Sequence, residues 1–147
     1  MNTLKSTLLG ASFFLASLTA SAAVVEGRTS NDRAFVTGGI GLEESELLKQ
    51  MANTYSLQVV ISSRSGAYLA DTRVTIIGAN SQKILDVPLD APWLLVDLLP
   101  GTYKVFVAQG GLTQERNVTL TPGKHEHLAV QFDVPADTAK NPASATK

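Results

Sequence analysis

The chain has 147 residues, with twelve Lys and Arg against thirteen Asp and Glu, a formal net charge of −1 and no cysteine. This near-neutral charge excludes the electrostatic attraction by which basic proteins bind nucleic acid or an anionic membrane surface. The absence of cysteine excludes disulfides and thiolate metal sites, so a hydrophobic core has to stabilise the fold.

The first 22 residues have the order of features that is typical of a secretory signal peptide. Lys5 supplies a positive charge, Leu8 to Leu18 form an apolar run, and Ala20-Ser21-Ala22 offers a cleavage site. The run is too short for a permanent membrane anchor, and no lipoprotein cysteine follows it. We therefore expect a periplasmic or secreted protein. Cleavage leaves eleven basic side chains against thirteen acidic ones, in a mature chain of a length that suits one domain.

Residues 23–41 show no sustained period and are rich in turn formers, which predicts an extended leader. The leader ends in Gly38-Gly39-Ile40-Gly41, and glycines before a helix can bind phosphate. No Gly-Lys-Ser/Thr follows, however, and Glu43 and Glu44 would repel an anion. We expect these glycines to provide a tight or flexible approach to the next element rather than a nucleotide site.

A helix is predicted over residues 42–54, because apolar side chains recur there at helical spacing. Its apolar stripe consists of Leu47, Leu48, Met51, Ala52 and Tyr55. We expect this stripe to pack within the molecule, since almost no linker separates the helix from the first strand. The outward apolar residues expected to receive it are Ile77, Leu94 and Phe106.

From Ser56 onward the apolar period changes to two, which predicts seven short β-segments separated by turn formers. These segments lie in residues 57–61, 74–76, around 84, 93–98, 103–107, 118–120 and 128–134. The fourth segment, which includes Trp93, is apolar on both faces. Short strands at this spacing favour an antiparallel sandwich. Residues 135–147 carry no large apolar side chain, so we expect a disordered tail.

The segment Leu99-Pro100-Gly101-Thr102-Tyr103 contains elements of a cell-wall sorting signal in a different order. A sorting signal reads Leu-Pro-x-Thr-Gly near the C-terminus, before an apolar segment and basic residues. This segment lies mid-chain and the chain ends in polar residues, so the sorting interpretation fails. Pro100 and Gly101 instead predict a type II turn that leads into a strand. We expect the Tyr103 ring to face the core, with its hydroxyl near the turn backbone.

This Leu-Pro-Gly-Thr-Tyr segment, followed by an alternating strand, resembles the penultimate-strand motif of carboxypeptidase regulatory-like domains. Residues 66–85 (GAYLADTRVTIIGANSQKIL) are also similar to that family. Its members are seven-stranded transthyretin-like sandwiches, related in shape to the B-type repeats of collagen adhesins. The resemblance covers residues 38–134 and extends to small exported bacterial proteins of unknown function. It implies a mainly β fold, a seven-stranded antiparallel sandwich with one N-terminal helix, and it does not fix an activity.

Two features implied by relatives of that fold do not carry over to this chain. The hydroxyisourate hydrolases end in Tyr-Arg-Gly-Ser, whereas this chain ends in Ala-Thr-Lys. The isopeptide bonds of adhesin repeats need a lysine in the first strand, and residues 57–62 contain none. We therefore expect neither that reaction nor an isopeptide bond.

His125 and His127 are the only histidines, and at i and i+2 on a strand they would point to the same face. Two imidazoles on one face can ligate a metal ion, but the sequence indicates no third ligand. Trp93 and Tyr68 could stack on sugar rings. Because Trp93 shares a strand face with Leu95, burial of the indole is the favoured interpretation.

Together these patterns predict an exported, non-enzymatic β-sandwich that serves as a binding or accessory module of the bacterial envelope, with no cofactor. Its partner would be an envelope protein or a carbohydrate, and neither nucleic acid nor, after signal cleavage, a membrane span is expected. Two alternatives stay open, a carbohydrate-binding module and a periplasmic metal-dependent enzyme that uses His125 and His127. The predicted domains are 1–22 (signal peptide), 23–41 (leader), 42–134 (helix plus sandwich) and 135–147 (tail).

Overall fold

The computed structural model describes residues 24–134, so the predicted signal peptide and the predicted tail lie outside the described residues. These residues form two β-sheets, which pack face to face, and one α-helix. The strands are β1 Val25–Arg28, β2 Ala34–Gly38, β3 Leu57–Ser63, β4 Thr72–Ile77, β5 Lys83–Leu89, β6 Trp93–Val96, β7 Gly101–Gln109, β8 Leu112–Leu120 and β9 Glu126–Phe132. The helix α1 spans Leu42–Ala52, and a short 3-10 turn spans Ala79–Ser81. Sheet A has the strand order β1-β2-β6-β3-β9, and sheet B has the order β5-β4-β7-β8.

The structure has nine strands in residues 24–134 rather than the seven that the sequence predicts. All seven predicted segments are present, as β3 to β9. Residues 23–41, predicted as an extended leader, contain β1 and β2, which form a hairpin, and β2 pairs with β6. Strand β2 lacks an alternation of apolar and polar residues because both faces of sheet A are covered there. The neighbouring residues Phe35 and Val36 are therefore both buried.

The strand pairs are antiparallel with one exception, the pair formed by β3 and β9, which is parallel. In this pair Leu57 lies opposite Glu126 and Ser63 opposite Phe132. A parallel pair needs a long connection, and here the chain supplies it by passing through sheet B and β6 before returning as β9. The expectation of a purely antiparallel sandwich is therefore wrong at this pair.

The main core lies between the two sheets and is built from the alternating positions that the sequence predicts. Leu57, Val74, Val105 and Val130, from β3, β4, β7 and β9, are fully buried in one cluster. Each strand contributes every second side chain to this cluster, because side chains of a strand point alternately to its two faces. Burial of this apolar surface is the main term that stabilises a domain without disulfides.

The helix packs on the outer face of sheet A, where it forms a second buried cluster. Leu48 and Ala52 contact a set of outward side chains from β2 and β6, namely Val36, Trp93 and Leu95. The expectation that the helix packs within the molecule is confirmed, but its expected partners are wrong. Leu94 faces the main core, and Ile77 and Phe106 lie in sheet B.

The apolar stripe of α1 differs from the predicted one by about one residue position. Leu48 has no exposed surface, whereas Leu47, which the sequence places at the head of the stripe, is 46% exposed. Adjacent helix positions lie 100° apart, so a helix that points Leu48 directly at the sheet turns Leu47 towards its side. The helix ends at Ala52, two residues before its predicted end.

The segment that resembles a sorting signal leads into β7, but not through a type II turn. Gly101 has a φ of 154°, whereas that turn requires a φ near +80°. The Leu99 carbonyl, which would close the turn, accepts a hydrogen bond of 2.7 Å from the Tyr103 hydroxyl instead. The prediction that Tyr103 packs on the core with its hydroxyl at this backbone is confirmed.

Candidate functional site

The glycine-rich approach to α1 is closed by a carboxylate of the helix itself. Glu44 Oε2 accepts hydrogen bonds from the backbone N–H groups of Gly39 and Ile40, at 3.1 and 3.2 Å. These are the donors that a bound phosphate would need. Gly39 has a φ of +100°, and a Cβ there would lie 2.8 Å from Trp93 Cδ1, so only glycine fits. The segment therefore positions the helix against the indole.

The outer face of sheet A is covered by α1 over β2 and β6 but is open over β3 and β9. The strand registers place side chains on this face in rows across the sheet, and three of these rows contain open positions. One row consists of Tyr68, Ser62 and Gln131. The next row consists of Val60 and Ala129, and the third contains His127 beside Gln58. We call the residues Val60, Ser62, Tyr68, His127, Ala129 and Gln131 the open face.

Tyr68 is the exposed aromatic ring of the open face, and Trp93 holds it from the side. The two ring centroids lie 6.4 Å apart with an interplanar angle of 76°, an edge-to-face contact. Trp93 is only 4% exposed beneath α1, whereas Tyr68 is 50% exposed. The indole therefore offers no free face for stacking on a sugar ring. Of the two aromatic candidates, only Tyr68 can contact a ligand.

The backbone around Tyr68 fixes the position of its ring. Tyr68 forms an isolated antiparallel bridge with Ser62, and the Leu69 N–H donates to the Ile61 carbonyl at 3.1 Å. The Leu69 side chain points to the opposite side and is buried in the main core. The segment that carries Tyr68 is therefore attached to β3 by backbone contacts and to the core by Leu69.

The two histidines lie near the start of β9 and have different surroundings. His125 precedes the strand, and its Nδ1 lies 2.7 Å from the Tyr55 carbonyl oxygen. A carbonyl can only accept, so Nδ1 donates in this hydrogen bond, and Nε2 is the acceptor nitrogen of the neutral tautomer. His127 is exposed on the open face, in the row of Gln58. Within residues 24–134, no three histidine or acidic side chains are grouped in a way that could hold a metal ion.

The electrostatics of the open face differ from those of the outer face of sheet B. None of the six residues of the open face is acidic, lysine or arginine, so the face is neutral when His127 is neutral. On sheet B, Arg73 pairs with Asp86 at 2.7 Å and Lys104 with Glu115 at 3.2 Å. Hydrogen bonds and apolar contact, rather than charge, would therefore hold a partner on the open face.

The edge of the open face is strand β9, and half of its backbone groups are unused by β3. The Glu126 N–H donates to Ser56 and the Phe132 carbonyl accepts from Arg64, so the even-numbered residues bond towards β3. The N–H and C=O groups of His127 and Ala129 therefore point outwards. At Gln131, the outward carbonyl accepts a hydrogen bond from the Gln114 side chain of β8.

Sequence reasoning missed Ser62, Ala129 and Gln131 as members of this site. They are outward positions of β3 and β9, and their small or neutral side chains carry no chemical signature. The only signal in the sequence is the alternation of inward and outward side chains along β9, which shows that Ala129 and Gln131 point outwards. That they lie beside Tyr68 follows from the parallel pairing of β3 with β9.

The sequence matches no model of a known protein family, and no curated protein matches it. The resemblance to carboxypeptidase regulatory-like domains therefore stays a prediction. In the described part of the chain, no helix has the length and apolarity that a membrane crossing requires.

Proposed function

We propose that the chain is an exported, non-enzymatic module of the bacterial envelope that binds an extended segment of a partner protein at the open face. The proposal is supported by the signal-like first 22 residues and by the open face itself, which combines exposed neutral side chains with a free strand edge. A transthyretin-like strand arrangement, favoured by the Leu-Pro-Gly-Thr-Tyr segment, belongs to the same proposal.

The observation that carries the proposal is the outward backbone of β9 at His127 and Ala129, which pairs with no other strand within residues 24–134. An extended segment that pairs with an edge strand gains main-chain hydrogen bonds, and side chains on the neighbouring face supply specificity. The other edge of sheet A, β1, has only four residues. Edge strand β5 of sheet B carries Pro88, which lacks an N–H, and proline is a common protection of edge strands.

Site-specific photo-crosslinking tests this proposal. A photoreactive amino acid is placed at Gln131, on the open face, and as a matched control at Asn117, on the outer face of β8. The mature chain is then incubated with an extract of envelope proteins. We expect a discrete crosslinked product at Gln131 and none at Asn117. Equal labelling at both positions, or none at Gln131, would show that the open face does not bind a partner.

A proline at Ala129 tests the binding mode. The Ala129 N–H points away from β3, so Ala129→Pro removes a donor that the sheet does not use. We expect the variant to fold and to lose the crosslink. The matched control is Val130→Pro, which removes an N–H that bonds to β3 and should destabilise the domain. A full crosslink in folded Ala129→Pro would exclude strand pairing at β9.

A carbohydrate-binding module is the second candidate, and the half-exposed Tyr68 ring favours it, because sugar rings stack on exposed aromatic faces. The single tryptophan lies in edge contact with Tyr68, so its fluorescence reports on this site. Titration with a soluble oligomer of N-acetylglucosamine should change the emission, Tyr68→Ala should abolish the change and Tyr68→Phe should retain it. An unchanged emission in the parent protein would remove this candidate.

The metal-dependent alternative is supported by one observation, the hydrogen bond between His125 Nδ1 and the Tyr55 carbonyl. Histidine ligands of metals commonly donate their other ring N–H to a carbonyl, as His125 does to Tyr55. If His125 and His127 hold a metal, a chelator should lower the melting temperature of the purified protein, and His127→Ala should remove that response. A melting temperature that is insensitive to chelator would exclude this alternative.

A further inference from the structure

A groove of about 290 Å³ opens at the side of the molecule, between the β1–β2 hairpin and β5. We call it the lateral groove and define it by Arg28, Ser30, Phe35, Lys83, Asp86 and Val87, which line it. Strands β1 and β9 are the two edges of sheet A, so the groove lies at the edge opposite the open face. Its volume is at the lower end of the range for small-molecule sites.

Hydrogen bonds between the β1–β2 turn and strand β5 connect the two sheets at one end of the groove. Strands β1 and β5 are edge strands of different sheets, and the hairpin turn bridges them at one end. The Ser30 N–H donates to the Ile84 carbonyl at 2.9 Å, and Ser30 Oγ donates to the Lys83 carbonyl at 3.0 Å. These two hydrogen bonds close one end of the groove and set the spacing of its two walls.

Apolar side chains that belong to the main core form the floor of the groove. Phe35 and Leu85 are buried in that core, and Val87 packs against it while remaining partly exposed. The Phe35 ring occupies the space beside Gly27, where a Cβ would lie 2.4 Å from Phe35 Cζ. A ligand with an apolar body can therefore cover this floor without moving polar groups.

The rim of the groove is cationic. Arg28 and Lys83 flank the opening, and the side chains of both are more than half exposed. Arg28 Nη1 donates to the Asp32 backbone carbonyl at 3.0 Å and lies 3.7 Å from the Asp32 carboxylate, and Lys83 meets Asp86 at 3.1 Å. Asp86 is also bound by Arg73 at 2.7 Å, so its charge is divided between two cations. Among the residues that line the groove, Arg28 and Lys83 are cationic and Asp86 is the single carboxylate, which leaves a net positive charge at the rim.

We propose that the lateral groove binds a small anionic amphiphile, namely a linear alkyl carboxylate. Its alkyl chain would lie on Phe35 and Val87, and its carboxylate would pair with Arg28 and Lys83. Apolar contact supplies affinity in such a site, and the few charged groups fix the orientation of the ligand. This site goes beyond the proposed function, because the open face and the lateral groove share no residue.

Titration of the mature protein with octanoate, followed by amide chemical shifts, tests the proposal. We expect shifts confined to the groove, namely at Arg28, Ser30, Phe35 and residues 83–87. Octanol and octylammonium have the same alkyl chain without the negative charge, and they should bind at least fivefold more weakly. Equal binding of octanol, or shifts that lie elsewhere on the protein, would overturn the proposal.

Charge variants provide the second arm of the experiment. Arg28→Gln and Lys83→Gln should each weaken octanoate binding by about 1.5- to fivefold, the range of an exposed ion pair. Lys104→Gln is the matched control, because Lys104 is as exposed as Lys83 and also pairs with an acid, but lies on the outer face of sheet B. An equal loss in Lys104→Gln would show a general charge effect and refute the site. Crosslinking at Gln131 should be unchanged in all three variants, which separates this test from that of the open face.

Discussion

Replacing Leu48 with alanine tests whether α1 packs on sheet A through the side chain that the structure buries. Leu48 has no exposed surface and contacts the outward side chains of β2 and β6. Burial of a leucine contributes about 1.5–3 kcal/mol of transfer free energy. The cavity left by truncation adds to this loss, and measured costs for such truncations are about 2–5 kcal/mol.

We expect Leu48→Ala to lower the free energy of unfolding by about 3 kcal/mol, since the better helix propensity of alanine recovers only about 0.2 kcal/mol. For a domain of this size that corresponds to a fall in melting temperature of roughly 10 °C. The neighbouring Leu47 gives a matched control, because it has the same chemistry in the same helix but is 46% exposed. Leu47→Ala should cost less than about 1 kcal/mol.

Urea unfolding followed by tryptophan fluorescence measures both variants. Trp93 is the only tryptophan and belongs to the cluster that Leu48 helps to form, so its emission reports on this packing. If the helix detaches locally in Leu48→Ala, the emission should shift to the red before the main transition. Equal costs for the two variants, or a larger cost for Leu47→Ala, would refute the assigned helix face.

Three further predictions concern other parts of the fold. Tyr103→Phe removes the hydrogen bond to Leu99 and should cost about 1 kcal/mol in urea unfolding. The hydrogen bonds from Arg73 and then Lys83 lower the pKa of Asp86 from 3.8 to about 2, so its ionised form stabilises the fold at neutral pH. This contribution is at most about 1 kcal/mol for a pair at the surface, and it should disappear as the pH falls from about 5 to 2. Asp86→Asn should therefore flatten that part of the plot of unfolding free energy against pH. An unchanged plot would contradict the assignment. Gly27→Ala would force the Phe35 ring to move and should lower the free energy of unfolding by about 1–3 kcal/mol, which thermal melting measures. An unchanged melting temperature would show that the ring has free space.

Strand β6 differs from the other predicted strands because its residues are apolar on both faces, and the structure explains this difference. All four residues of β6 are buried, because Leu94 and Val96 face sheet B while Trp93 and Leu95 lie under the helix. The sequence showed this segment as apolar on both faces, which indicates a strand covered on both sides. It did not show what covers it, because the covering elements are separated from it along the chain.

The candidate site could be predicted only in part. Tyr68 and His127 were found from their side-chain chemistry, and the structure places both on the open face. Their neutral neighbours were missed, because Ala129 and Gln131 acquire a role only through the register of β9 against β3. The lateral groove was also missed, because one of its walls is the hairpin that the sequence predicts as an extended leader.

The sequence by itself determined the strands from Ser56 onward, the presence of the helix and the contact of the Tyr103 ring with the core. These features follow from local periodicity, which reflects the two faces of each element. Only the tertiary structure decided that β2 joins the sheet, since its partner β6 lies about sixty residues away and its own pattern carries no alternation. It also decided which of two adjacent leucines faces the sheet, because the choice between helix faces depends on the surface that receives them.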